Sequence, residues 1–231
     1  MVTNRHVVTG CHQDTRKCLS RMAAIPNAIV VNFHKEDGGW TSTRLPLFRE
    51  DGSPWWIEHP KLGTKADVVA LNLTWGSDVV KYPYYLETDL DHTDLDIGPA
   101  ETVSVIGFPF GITSRQKFPV WATGFLAQEM DLISEEDPVF LIDCRTRPGQ
   151  SGSPVIAHRV STIRVKGDDG RVHLHTNPGQ KRWKFLGIYS GRINEQSDLG
   201  KVWHASILKS LLAEAERIDL MRRQKRMEDE L

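Results

Sequence analysis

Short apolar segments separated by turn-forming residues recur along most of this chain of 231 residues. Residues 28–33 form one such segment, which ends before a turn at residues 37–39, and residues 40–48 form the next. Comparable segments lie at residues 66–73, 101–107, 120–128, 139–142, 154–157, 161–165, 171–175, 184–191 and 201–204. About ten short strands with turns between them are typical of an all-β sandwich or a pair of barrels rather than of βαβ units.

Glycine and aspartate clusters between some segments predict hairpins, and a helix is predicted after the last strand. Residues 37–39 and 166–170 have the composition of tight hairpin turns. From Ser206, which is placed to cap a helix, the apolar residues change to helical spacing. These residues are Ile207, Leu208, Leu211, Leu212, Ala215 and Ile218. Nearly every residue beyond Met221 is charged, which predicts a solvated helix end or a frayed tail.

The charge balance and the cysteines exclude several classes of protein. With 29 Lys and Arg against 30 Asp and Glu, the net charge of -1 predicts no binding to nucleic acid or to an anionic membrane. The sequence has neither an apolar leader nor an apolar run of membrane-spanning length, so we expect a cytoplasmic protein. Three cysteines without paired CxxC spacing favour free thiols over a disulfide framework or a metal site.

A glycine-flanked serine, Ser151, lies between two apolar segments in the sequence Arg-Pro-Gly-Gln-Ser-Gly-Ser-Pro, residues 147–154. An ordinary turn requires the same residue types, so the serine alone indicates little. A serine becomes a useful nucleophile when a base removes its proton during attack, and histidine titrates close to neutrality. His6 is a candidate for that base, and Asp67 is a candidate carboxylate to fix the imidazole tautomer.

Each candidate has a competing interpretation. By itself, His6 is typical of a histidine at the end of a strand, and Asp67 of a turn or cap residue. Acidic residues between 86 and 97 are alternatives to Asp67, but no apolar strand follows them. Ser153 runs into Pro154 and the next strand, so we expect it to pack.

The other histidines fit surface or turn positions better than metal ligation, because no pair has a metal-binding spacing with acids. They include His12, His34, His59, His158, His173, His175 and His204. We therefore expect no metal and no other cofactor.

Five motifs of the chain occur in a fixed order. They are Val-Thr-Asn-Arg-His-Val-Val (residues 2–8), Ala-Asp-Val-Val-Ala-Leu (66–71), Gly-Phe-Pro-Phe-Gly (107–111), Trp-Ala-Thr-Gly (121–124) and Pro-Gly-Gln-Ser-Gly (148–152). In this order they resemble the trypsin-like serine peptidases of the chymotrypsin clan. The nearest likeness is to the peptidase domain of the bacterial HtrA-like branch, without a following PDZ domain. The likeness extends to about residue 210, and the combination is more specific than any single motif.

The resemblance implies two packed antiparallel β-barrels with the active site in the cleft between them. It assigns residues 1–98 to the first barrel, 99–205 to the second, and 206–231 to a C-terminal helix and charged tail. By motif position, His6 is the general base, Asp67 its orienting carboxylate and Ser151 the nucleophile. The backbone N–H groups of Gly149 and Ser151 form the oxyanion hole, and the substrate is a protein or peptide.

The resemblance also assigns residues that bind substrate. Tyr189, Ser190 and Gly191 match the edge strand that pairs with an extended peptide. Arg145 matches the position at the base of the specificity pocket, where a fixed cation favours an acidic substrate side chain. The alternative for Arg145 is a side chain that points out to solvent, as in most arginines.

The chain departs from the family pattern before its histidine, since only five residues precede His6. Relatives carry one or two further strands there, so we expect the first barrel to lack N-terminal strands and to have unpaired edges. Three explanations are open: a start site assigned too far downstream, a genuine fragment, or completion by a partner strand. We favour the first. A loosely held His6 would make this chain an inactive module that binds extended peptides without turnover.

Overall fold

A computed structural model describes residues 1–81, 95–159, 162–176 and 182–229 of the chain. The predicted all-β class with a C-terminal helix is confirmed, and the fold is consistent with a chymotrypsin-like architecture. The chain divides into two compact units. Met1–Pro83 and Leu208–Leu231 form the first, and Tyr84–Ile207 form the second.

The first unit contains short strands and one short helix. In chain order these are β1 (Val2–Thr3), α1 (Arg5–Thr9), β2 (Ala28–His34), β3 (Trp40–Pro46), β4 (Ile57–Glu58) and β5 (Val69–Ala70). The strands form a three-stranded sheet in the order β1-β5-β4 and a separate hairpin of β2 and β3. Among its described residues this unit has no closed barrel, in line with the expected incomplete first barrel.

The hairpin predicted around residues 37–39 is confirmed. Strands β2 and β3 pair in antiparallel register from Ala28 opposite Pro46 to His34 opposite Trp40. Gly38 adopts a φ of 79°, a left-handed conformation that glycine reaches without the strain of a Cβ.

Two segments of the first unit differ from the sequence prediction. The strand expected at residues 66–73 covers only Val69–Ala70, although its neighbours are buried as well. The strand expected to end at His6 ends at Thr3, and His6 lies in helix α1. Strands β1 and β5 pair only over two residues each, and Leu71 adds a backbone hydrogen bond to Met1 just outside the strands.

The described strands of the second unit are β6 (Thr102–Gly107), β7 (Val120–Leu126), β8 (Val139–Asp143), β9 (Pro154–Arg159), β10 (Thr162–Lys166), β11 (Val172–Thr176), β12 (Arg182–Arg192) and β13 (Leu199–His204). Six of them form a closed barrel in the order β12-β13-β8-β7-β6-β9. Inward-facing residues form one continuous core. It contains Leu95, Ile97, Val103, Val105, Leu126, Phe140, Ile142, Cys144, Val155, Ala157, Leu186, Tyr189 and Val202.

Strands β10 and β11 lie outside the barrel as the second predicted hairpin, which is also confirmed. Its turn is closed by the amide of Gly167, which donates to the carbonyl of Arg171. Residues 82–94, which include most of the acid-rich segment at residues 86–97, lie outside the described residues, as do residues 177–181 beyond β11.

The predicted C-terminal helix is confirmed as α2 (Ser206–Asp229), and it extends through the charged end that could also have been a frayed tail. Leu208, Leu211 and Ala215 are buried. His59, expected at a surface or turn, is a buried turn residue whose Nε2 lies 2.7 Å from the hydroxyl of Ser210. No helix in the described part of the chain is both long and apolar enough to span a bilayer.

Candidate active site

His6 and Asp67 are brought together by the pairing of β1 with β5. The strands are antiparallel, with Thr3 opposite Val69, so the residues that follow β1 lie beside those that precede β5. His6 occupies the first turn of α1, where backbone N–H groups have no partner within the helix. The Oδ1 atom of Asp67 accepts the His6 N–H at 2.9 Å. One carboxylate therefore both stabilises the start of α1 and fixes the position of the imidazole.

The side chains of the pair make a short hydrogen bond. The Nδ1 atom of His6 lies 2.6 Å from Oδ2 of Asp67, whose side chain is 1% exposed. An ionised carboxylate only accepts hydrogen bonds, so Nδ1 carries the proton and donates it. The other ring nitrogen, Nε2, is then the basic one. This arrangement holds the histidine in the tautomer that a general base requires.

Asn4 contacts the backbone of Asp67 and so supports this pair. The sequence analysis did not single it out. Its side chain is fully buried, and its Nδ2 donates to the backbone carbonyl of Asp67 at 2.7 Å. The neighbouring Arg5 forms an ion pair with Glu58 at 2.9 Å. The only signal in the sequence was the Thr-Asn-Arg-His context, since the role of Asn4 depends on a residue far along the chain.

The segment before Ser151 forms a tight turn in the second unit. The amide of Gln150 donates to the carbonyl of Arg147 at 3.2 Å, and Gly149 has a φ of 94°. Proline followed by a residue with positive φ is the pattern of a type II turn, with Pro148 and Gly149 at its centre. Ser151 follows directly, half-buried, and its Oγ donates to the carbonyl of Ser190 at 3.2 Å.

The loop after β6 fixes the orientation of this turn. The carbonyl of Pro148 accepts the amide of Phe110 at 2.6 Å. Because the peptide unit is planar and trans, the N–H of Gly149 in the same unit points the opposite way. Among the described residues that N–H donates no hydrogen bond. The turn therefore presents a donor near Ser151, which is what stabilisation of a developing oxyanion requires.

Strand β12 runs beside the serine. Tyr189 exchanges two backbone hydrogen bonds with this region, accepting from Gly152 at 2.9 Å and donating to Ser153 at 2.8 Å. The register of β9 with β12 ends at Ile188, so β9 does not extend alongside the last residues of β12. Ser153, expected to pack, is 7% exposed.

Comparison with known proteins identifies the family. Residues 1–161 match the family model of a trypsin-like peptidase domain, which is more than half of the chain. The chain belongs to the trypsin-like peptidase family. The matched range contains His6, Asp67 and Ser151. No protein in the curated set matches the chain.

In this peptidase domain the structure favours the solvent-facing alternative for Arg145. Its side chain is 84% exposed, and its Nε lies 3.7 Å from the carboxylate of Asp198. A guanidinium in this position is not a buried cation at the base of a pocket. The residue that follows, Thr146, is the fully buried one.

No group of three or more His, Cys, Asp or Glu side chains within the described ranges could hold a metal ion. The three cysteines are free thiols. Burial, with a smaller contribution from the negative charge of Asp143, raises the pKa of Cys144 to about 11. This thiol is therefore a poor nucleophile at neutral pH.

Proposed function

We propose that this trypsin-like peptidase domain is a serine endopeptidase that hydrolyses peptide bonds through an acyl-enzyme intermediate. Ser151 is the nucleophile, His6 the general base and Asp67 the residue that orients His6. The observation that carries the proposal is the hydrogen-bonded pair of His6 and Asp67. Its Nδ1 to Oδ2 distance of 2.6 Å and the burial of Asp67 are what a base with a fixed tautomer needs.

In the proposed reaction, Ser151 Oγ attacks the carbonyl carbon of the substrate while Nε2 of His6 accepts the hydroxyl proton. His6 then returns this proton to the leaving amine, and water releases the acyl group by the reverse sequence. Asp67 stabilises the imidazolium that forms between these steps. The N–H groups of Gly149 and Ser151 stabilise the negative charge on the carbonyl oxygen.

The proposed substrate is an extended segment of a protein or peptide. It would add as a strand along the segment Tyr189, Ser190 and Gly191. The main-chain groups of Tyr189 already bond to Gly152 and Ser153, so the main-chain hydrogen bonds that supply affinity would come from the residues after it. The end of the β9 register at Ile188 supports this part of the proposal, because the final residues of β12 extend beyond that strand.

Labelling with a fluorophosphonate probe tests the proposal, because the probe reacts only with an activated serine. We expect wild-type protein to be labelled, and Ser151→Ala and His6→Ala to lose the label. Ser153→Ala is the matched control, two residues away, and should keep it. An unlabelled wild type that still binds extended peptides would instead support a peptidase-like binding module.

A further inference from the structure

The side chain that precedes the cleaved bond must lie close to Ser151. A substrate carbonyl carbon has to approach within about 3 Å of the attacking oxygen. The Ser151 hydroxyl contacts the carbonyl of Ser190, and the backbone of Tyr189 bonds to the backbones of Gly152 and Ser153. That substrate side chain therefore projects between the turn before Ser151 and the end of β12.

The ring of Tyr189 packs in the barrel core beside the segment before Ser151. Tyr189 is 2% exposed, and its hydroxyl forms a hydrogen bond with the hydroxyl of Thr146, which is fully buried. On the other side lies Gly200 of β13. A Cβ built on Gly200 would lie only 2.6 Å from the ring carbon Cε2, so only glycine fits against the ring there. The ring thus lies between the segment before Ser151 and strand β13.

We propose that Tyr189 closes the specificity pocket of this domain, so that it cleaves after glycine, alanine or serine and not after larger or charged residues. The proposal rests on the proposed peptidase function. Burial of the ring and its hydroxyl contact with Thr146 leave no room behind Ser151 for a longer side chain. Arg145, the cation closest in sequence to Thr146 on its N-terminal side, is 84% exposed and so does not act as a buried cation that attracts an acidic residue.

The test compares peptide substrates that differ only in the residue before the cleaved bond. Wild type should hydrolyse the alanine peptide at least about tenfold faster, by kcat/KM, than the valine, leucine and glutamate peptides, the scale for a small change of fit in a closed pocket. Tyr189→Val removes the ring and should raise kcat/KM for valine and leucine by at least about tenfold relative to alanine. Tyr189→Phe, which keeps the ring, should retain the wild-type preference.

If Tyr189→Val does not fold, the substrate preference of the wild type alone tests the role of Tyr189. Equal or faster cleavage after leucine or glutamate by the wild type overturns the inference. Fluorophosphonate labelling separates this result from failure of the proposed function, because the probe has no side chain to enter the pocket. A wild type that is labelled but prefers large residues refutes only the role of Tyr189. One that is not labelled refutes both proposals.

A second inference comes independently from the loop after α1. Cys11 and Cys18 lie directly opposite each other in an antiparallel β-bridge. The flanking hydrogen bonds run from the amide of His12 to Lys17 and from the amide of Leu19 to Gly10, both at 2.8 Å. This is the non-hydrogen-bonded type of pair, in which Cα atoms are about 4.5 Å apart. A disulfide accepts Cα separations of about 4.4–6.8 Å.

We infer that Cys11 and Cys18 form a reversible disulfide when the protein meets a disulfide oxidant such as oxidised glutathione. The exposed Cys18 thiolate attacks one glutathione sulfur and releases one reduced glutathione. The Cys11 thiolate then attacks the mixed disulfide at Cys18 and releases the second. The two cysteines lose two electrons, and the two hydrogens end on the two glutathione molecules.

Peptide mapping after incubation with oxidised glutathione tests this inference. We expect a crosslinked peptide that contains Cys11 and Cys18, an unmodified Cys144, and reversal by a dithiol. In Cys11→Ser, Cys18 should instead retain bound glutathione, because the second thiol is missing. Wild-type protein that accumulates only glutathione adducts, or only intermolecular disulfides, would contradict the inference.

Discussion

The turn around Ser151 and the pair formed by His6 and Asp67 are positioned by different amounts of backbone hydrogen bonding. The turn around Ser151 is attached to a closed barrel. In that barrel β12 pairs with β13 on one side and with β9 on the other. The histidine pair depends on β1 and β5, which pair over two residues, and on a five-residue helix. Side-chain hydrogen bonds position His6 and Asp67, whereas long strand ladders position the turn around Ser151.

This difference predicts where single substitutions act. Where a ladder of hydrogen bonds holds the backbone, loss of one side chain leaves the geometry in place. Where one carboxylate joins two segments, its loss changes both the chemistry and the local backbone. The predictions that follow are ordered from the largest expected effect to the smallest.

Asp67→Asn should have the largest effect on activity. An amide in place of the carboxylate favours the wrong imidazole tautomer, and the change lowers kcat by about 10,000-fold in enzymes with this arrangement. Hydrolysis of a good peptide substrate measures the loss, and NMR of the His6 ring nitrogens reports the tautomer. Glu58→Gln is the control, since it removes from the same sheet the carboxylate that pairs with Arg5. Comparable losses in both variants would contradict the special role of Asp67.

Gly149→Ala tests the turn before Ser151. The alanine keeps its N–H, but a displaced turn would no longer aim it at the oxyanion. We therefore expect kcat to fall by about 100- to 1000-fold, the cost of losing one oxyanion donor. The new Cβ would lie 2.5 Å from the carbonyl of Phe108, and the φ of 94° strains any L side chain. Gly170→Ala is the matched control, because Gly170 also has a positive φ of 73° but no atom within 4 Å of its Cβ position. It should lose a little stability and no activity. Equal activity in the two variants would contradict the role of the turn.

The sequence predicted elements whose signals are local. Both hairpins, most barrel strands and the C-terminal helix follow from apolar spacing and turn residues near each element. The closed order of the barrel does not, because β6 pairs with β9 and β8 with β13 across long stretches of chain. The sequence of a single strand does not indicate which distant strand it pairs with. The strand pattern therefore left a sandwich and a pair of barrels open, and the family resemblance favoured the barrels.

The same limit applies to the candidate site. His6, Asp67 and Ser151 were chosen from motifs, and the structure adds the hydrogen bonds between His6 and Asp67. The helix that carries His6 was taken for a strand end, because its first turn is stabilised by a residue distant in sequence. Tyr189 was predicted to bind substrate through the strand that contains it. The position of its ring depends instead on Thr146 and Gly200. Side-chain direction at such positions is decided by tertiary packing.

Asn4→Ala tests whether a single buried side chain supports the first unit. It leaves the backbone carbonyl of Asp67 without its donor, which costs about 1–3 kcal/mol for a buried group. Urea unfolding measures the loss, and activity should fall with it as His6 becomes less well held. Asn72→Ala is the matched control, because Asn72 donates through the same atom to Asp219 in an exposed bond. Its effect should be within about 0.5 kcal/mol.

The smallest expected effect is a pH dependence located in the second unit. Burial, together with the nearby positive charge of Lys184, lowers the pKa of His204 below its ordinary value. The unfolded chain therefore binds more protons here than the folded one, so this contribution to stability is present above the unfolded pKa and is lost as pH falls through the folded pKa. Unfolding measured between pH 7 and pH 5, values that bracket a pKa of about 6.5, should show a decrease that His204→Gln reduces. His173→Gln, in the exposed β10–β11 hairpin, should leave the decrease unchanged. A decrease that persists in His204→Gln would assign the acid sensitivity to groups elsewhere.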